Sequence, residues 1–390
     1  MPIVPLLMLT FLAAAPAAVP TVIEVSDVEG LYCAVNDPAN AGATVLLSAG
    51  LYRLTKLDPL GASRPNGGRL ELQTDMSISG VAGHSEDVVI DSSDPTKGPS
   101  FPLGGGLGNA GTIRIGRGRN SVEWLTVVGG SASAGGVQTD LVGAPAVLRV
   151  AHVVSRDSVR GIDVRNLGPA GAGRTIVIDL DENEVFDNTS MNGQGFRFVN
   201  SGADGASIVA TLHGNVSHDN NQGFLASNLA SSHATIAIDS HDDRFEDNLI
   251  GAAIFGGLTT MAGTAANDST TIVTIHAGSI SGSHGSVPPQ GFTAGINVVG
   301  GSYTAPGPAG SASRNSVQVS IWGTNFSGNG ALDVEAWGAK APDAALAGTA
   351  NIVTVDLHGV SAQAIADNTA AATASVPAEA VTTNMATIVK

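Results

Sequence analysis

An all-β fold, a single-stranded right-handed parallel β-helix with a short N-terminal capping helix, is predicted by three observations. A unit of two short strands is used six times, one of those strands alternates cleanly with period two, and the unit length varies at one place only. First strands fall at 161–166, 195–200, 223–228, 252–257, 295–300 and 332–337, and second strands at 176–181, 208–213, 236–241, 273–276, 317–322 and 353–358. In the second set Ile176, Ile178 and Leu180 fall on one side, as do Ile208, Ala210 and Leu212, or Val317, Val319 and Ile321. Period two with one apolar side marks a half-buried strand.

The unit length decides the architecture. Gly161 to Gly195 spans 34 residues, Gly195 to Gly223 spans 28 and Gly251 to Gly295 spans 44, with the surplus in one loop, at 256–271, 300–315 and 338–350. Propeller blades and leucine-rich repeats hold their period more tightly. A solenoid whose single corner bulges has no such need, and its strands stack about 4.8 Å apart with right-handed crossovers. Five of the six second strands are followed by a turn ending in Asn188, Asn220, Asn248, Asn329 or Asn368, a residue expected to take left-handed backbone there. The N-terminal half adds less regular strands at 69–72, 88–91, 112–115, 122–127 and 147–150. Nine to eleven coils result.

Composition agrees. Of 390 residues 50 are Gly and only 13% are charged, too apolar for a disordered chain and too poor in Leu, Glu and Lys for a helical one. The net charge of −16 argues against a nucleic-acid partner, while leaving divalent cations as partners. Residues 1–18 read as a signal peptide, an apolar core at 6–12 followed by small residues at 13–18, although no Lys or Arg precedes that core. Export is therefore expected, secreted, periplasmic or at the cell surface, with no membrane span in the mature protein. The β-helix is placed at 19–369 and a C-terminal cap or tail at 370–390. The single cysteine, Cys33, excludes a disulfide framework and is expected in the core. Oligomeric state stays open.

Residues 31–36, followed by Gly42-Ala43-Thr44-Val45-Leu46-Leu47-Ser48-Ala49-Gly50-Leu51-Tyr52-Arg53-Leu54, resemble the opening of pectate-lyase-like β-helix proteins. Those chains read as a short capping helix, a first strand and a Gly-x-Tyr turn. The resemblance implies a β-helix over the whole mature chain. Its superfamily includes polysaccharide lyases, hydrolases, esterases, epimerases and non-catalytic surface proteins, so it implies no one reaction.

Stacking the second strands places one outward column at Asp181, His213, His241, His276, Trp322 and His358. A second, two residues earlier, holds Asp179, Thr211, Asp239, Thr274, Ser320 and Asp356. Imidazoles repeated every rung can donate, accept or bind metal near neutral pH, and Asp239 beside His213, His241 and His276 would orient them. The alternative is a merely solvated polar face. The catalytic candidates are Asp239, His241, His213, Asp243 and Arg244. His241-Asp242-Asp243-Arg244 is similar to the paired Asp of polygalacturonase-like hydrolases, whose Asn-Thr-Asp-Gly and Arg-x-Lys runs are absent. Trp322, whose flat ring suits stacking on a sugar, joins His276, Asp179 and Asp181 as substrate-binding candidates. Asp187, Asp219 and Asp247, each before an Asn, are candidates for Ca²⁺, or simply turn residues. Arg149, Arg156, Arg160 and Arg165 form a basic run suited to an anionic sugar. Two functions follow: a protein that binds or processes carbohydrate, lyase- or hydrolase-like, or a non-catalytic exported β-helix.

Overall fold

The computed structural model describes residues 21–99, 111–129, 135–139, 144–189, 193–260, 264–285, 294–303, 312–330, 332–340, 348–362, 365–366 and 384–390. The signal-peptide reading at 1–18, Asn368 and most of the tail lie outside them. Every pairing between named strands is parallel, and each coil stacks on the next in the right-handed sense. Three faces result. The first runs from Val22–Val25 and Thr44–Leu47 through Thr175–Asp181, Ser207–His213, Thr235–His241, Thr270–His276, Ser316–Trp322 and Ile352–His358 to Met385–Val389. Three-residue strands such as Glu184–Phe186, Val216–His218 and Arg244–Glu246 form the second. The third is a ten-stranded sheet holding all six predicted first strands. In Arg119–Val128 and Ala146–Arg156 one long strand serves both first and second faces, bending at Trp124 and His152.

Inward side chains from the three faces close a dry interior. Ile208, Ala210 and Leu212 come from the first face and Phe196 and Phe198 from the third, and all are buried in one continuous core. The Phe198, Phe224 and Phe245 rings touch between coils at 5.5 and 5.7 Å. A helix, Val28–Asn36, caps the N-terminal end. Asp27 accepts a hydrogen bond from the Gly30 N–H at its start, and Leu31, Tyr32, Ala34 and Val35 turn inward. Cys33 points outward from this helix and is exposed, which corrects its expected place in the core. Spacing decided it: Leu31, Ala34 and Val35 sit at the i, i+3, i+4 positions that face the tube, and Cys33 lies off that stripe. Tyr52 of the Gly-x-Tyr turn is buried, and its hydroxyl donates to the Val25 and Ser48 carbonyls.

The corners between faces are built differently from the sequence expectation. It is the residue before the Asn that takes left-handed backbone: φ is 57° at Asp187, 52° at Asp219, 52° at Asp247 and 62° at Gly328. The Asn that follows turns inside. Asn188 donates its backbone N–H and Nδ2 to Asn220 Oδ1 at 3.0 and 2.8 Å, and the Asn220 N–H donates to Asn248 Oδ1 at 3.0 Å. A second ladder, Asn183–Asn215–Asp243, runs along the corner between the first two faces. A third, Asn315–Asn351–Asn384, lies before the first face. Each satisfies corner N–H groups that no strand partner reaches. Glycine opens the third face for a related reason: a Cβ on Gly223 would sit 2.7 Å from the Gly251 carbonyl oxygen of the next coil.

Candidate functional site

The first face presents three outward columns in one-to-one register. Val147, Val177, Val209, Ala237, Ile272, Gln318 and Thr354 form an apolar-to-polar rail. Arg149, Asp179, Thr211, Asp239, Thr274, Ser320 and Asp356 form the middle column. Asp181, His213, His241, His276, Trp322 and His358 form the last, as the alternation predicted. Columns lie about 7 Å apart, two residues along a strand, and rungs about 4.8 Å apart. The face is open along its length: Val177 and Val209 are about 40% exposed, as are the His241 and His276 side chains, and Trp322 and Ile352 are 45% and 51% exposed.

The imidazoles stack on one another. His241 and His276 lie 4.6 Å apart at 8°, His276 and Trp322 6.4 Å apart at 18°, and Trp322 and His358 3.8 Å apart at 16°. These rings stand edge-on to solvent. Trp322, expected as a flat platform for a sugar, is 45% exposed with one ring face covered by His358. Identical spacing along the rungs makes ring-on-ring contact cheaper than an exposed face.

Two carboxylates, Asp181 and Asp239, pair with imidazoles of this column. His241 Nε2 is 3.1 Å and His276 Nε2 3.7 Å from Asp239 Oδ1. His213 is not part of this group. Its Nδ1 meets Asp181 Oδ1 of the preceding coil at 3.1 Å, and that hydrogen bond raises its pKa above the ordinary imidazole value. Burial works to raise the Asp181 pKa, but the bonds from His213 and Arg149 outweigh it and hold it low. Arg149 bridges Asp179 and Asp181, with Glu123 at 3.6 Å.

Other candidates are dispersed. Asp243 is inside the tube, 1% exposed, where Oδ1 accepts from the Asn215 N–H and Nδ2 and Oδ2 from the Ser240 hydroxyl. It meets no substrate there. Arg244 faces outward from the second face, 3.6 Å from Glu246. Asp187, Asp219 and Asp247 occupy corner positions, and among the described residues their carboxylates do not converge as three ligands. Convergent sets are Asp239, His241 and His276, and Asp181, Glu182 and His213, each within 4.8 Å. Asp187 does line a cleft of about 670 Å³ beside Asp91, Arg156 and Asp157, with Leu51 and Val89. The basic run divides among three faces: Arg149 on the first, Arg156 in this cleft, Arg160 and Arg165 on the third.

On the outward side of the third face Arg160 and Arg165, read in the sequence as part of a basic run or as partners of a nearby Asp, are paired with Asp163. There Asp163 is fully buried, 2.8 Å from Arg197 and 3.5 Å from both Arg160 and Arg165. Burial lowers the Arg160 pKa to about 9, with Arg197 and Arg165 adding repulsion. The available signal was the presence of charged residues, Arg160, Asp163, Arg165 and Arg197, within Arg160–Leu167 and Gln194–Ser201, strands buried along nearly their whole length.

No protein-family model matches the sequence, and no curated protein matches it. Solved structures do. The mannuronan C-5 epimerase AlgE6 A-module of Azotobacter vinelandii is 14% identical, with a TM-score of 0.43 over 87% of this chain and 91% of that one. The AlgE4 A-module of the same organism is 15% identical, with a TM-score of 0.38 over 90% and 94%. The catalytic unit of a GH87 α-1,3-glucanase from Streptomyces thermodiastaticus is 12% identical, with a TM-score of 0.25 over 91% and 71%. The parallel β-helix read from the sequence is carried by the chain's own stacked parallel faces.

Proposed function

We propose that this is an exported protein that binds and processes a polysaccharide laid along the first face. The observation that carries this reading is the juxtaposition of an exposed apolar rail, Val147–Val177–Val209–Ile272, with carboxylate and imidazole columns in register beside it. A sugar chain offers C–H surface and hydroxyls together, and such a striped, repeating face meets both over several rungs. Asp181–His213 and Asp239–His241 are carboxylate-oriented imidazoles, the arrangement that moves protons near neutral pH. His213, held toward its cationic form, also favours a sugar carboxylate.

The test is a panel of acidic and neutral polysaccharides, scored for binding, unsaturated products and new reducing ends. Asp239→Ala and His241→Ala should each abolish binding or turnover with the thermal midpoint unchanged, since both side chains are about half exposed. Unaltered binding and turnover in both variants would remove the proposal. A second reading, a non-catalytic exported β-helix, is favoured by the way the face spends its groups on one another: His213 on Asp181, Trp322 on His358. Binding without any product would select it.

A further inference from the structure

We infer that Asp239, His241 and His276 form a binding site for a divalent transition-metal ion of the Zn²⁺ type, open to solvent on its outer side. The argument is geometric. Both imidazole Nε2 atoms converge on one carboxylate oxygen, Asp239 Oδ1, at 3.1 and 3.7 Å. With metal–ligand bonds of about 2.0–2.1 Å, two ligands of a tetrahedral ion lie about 3.4 Å apart, between those two separations. All three ligand atoms lie within 4.8 Å of one another. The remaining edge, Nε2 to Nε2, closes by a tilt of two parallel rings that are each about 40% exposed.

The backbone supplies the preorganisation. Asp239 and His241 are two residues apart on Thr235–His241, so they share its outward side, and His276 stands beside His241 in the parallel register of the next rung. No loop has to order for the three to meet. Two nitrogen donors and one oxygen suit Zn²⁺, Co²⁺, Ni²⁺ or Cu²⁺; Ca²⁺ asks for six to eight oxygens. Three protein ligands facing solvent leave the remaining position for water or a substrate oxygen. The neighbouring set, Asp181, Glu182 and His213, is a poorer host because Arg149 already neutralises Asp181. Among the described residues no Arg or Lys forms an ion pair with Asp239.

This site shares residues with the carbohydrate reading but does not depend on it. The experiment is calorimetric titration of Zn²⁺ into full-length His213→Ala, which silences the second set, with Co²⁺ absorption as an independent readout. One equivalent should bind, and Co²⁺ should develop the visible bands of a low-coordinate site. Adding His241→Ala, His276→Ala or Asp239→Asn should weaken binding at least about tenfold, since even outer-shell partners cost that much. Ca²⁺ should not compete. Absence of Zn²⁺ binding, or binding undiminished by His241→Ala and His276→Ala, would overturn the inference. Glycan capture repeated with EDTA separates the two ideas: metal binding without glycan binding removes only the carbohydrate reading, and glycan binding without metal binding removes only this one.

Discussion

At Asp243 a carboxyl ends a ladder of asparagine amides inside the tube, and burial raises its pKa despite hydrogen bonds from Ser240 and Asn215. A carboxyl whose folded pKa lies above its unfolded value holds its proton more tightly when folded. Its contribution is therefore fully present below about pH 4 and lost as pH rises through the folded value. Asp243→Asn keeps an acceptor for Asn215 and removes the charge. Calorimetry should show a higher thermal midpoint than wild type at neutral pH and no advantage at acid pH; a lower midpoint at neutral pH would contradict this account. Asp163 has the opposite sign. Burial alone would raise its pKa, but Arg197, Arg165 and Arg160 outweigh it, so its contribution is present above about pH 4 and is lost only in strong acid. The sequence reading grouped His241, Asp242, Asp243 and Arg244 as one cluster. The left-handed backbone at Asp242 turns the chain there, sending His241 out from one face, Asp243 inward and Arg244 out from the next. Period-two patterning stops at a corner, so it had no means of seeing this.

Among elements, the asparagine ladders hold the corners as the strands hold the faces. Asn220 accepts two hydrogen bonds from Asn188 and donates to the Val185 carbonyl, all in the dry interior. Asn220→Ala leaves those groups unpaired, and we expect a loss of about 2–4 kcal/mol in chemical denaturation. A loss below about 0.5 kcal/mol, the size of an ordinary surface change, would mean that the ladder is incidental. The strands of the first face, their inward side and the His–Trp column were legible because one apolar side at period two leaves only one register. The ladders were not. An Asn inside a tube and an Asn in a left-handed turn have the same neighbours in sequence, and only the stacking of coils separates them. His213 was assigned to Asp239 for a similar reason: rung order was readable, but ring rotamers, which pair it with Asp181, were not.

For the whole molecule, the same one-residue-to-one-residue stacking makes each coil the template for the next. Met385–Val389 forms the last described rung on Ile352–His358, and Asn384 receives the Asn351 amide. Deleting residues 384–390 uncovers the edge of Ile352–His358 and orphans Asn351. Light scattering should then show association that full-length protein lacks, and a variant that stays monodisperse and equally stable would refute it. The surplus residues fall at two corners and not one: the connection from Ser279–Ser281 to Ala294–Tyr303 is also longer than that from Val216–His218 to Gln222–Leu229. The coil architecture itself was still legible from the repeated pair of strands. The buried outer side of the third face was not, since nothing in a strand's own alternation says what lies over it. The stacking also sets how the protein answers a pulling force. Strands lie across the long axis, so tension between the two ends loads the inter-coil hydrogen bonds one row at a time, as in opening a zip. A coil such as 195–222 would pay out about 95 Å of chain at ~3.4 Å per residue, giving the molecule a stepwise extensibility.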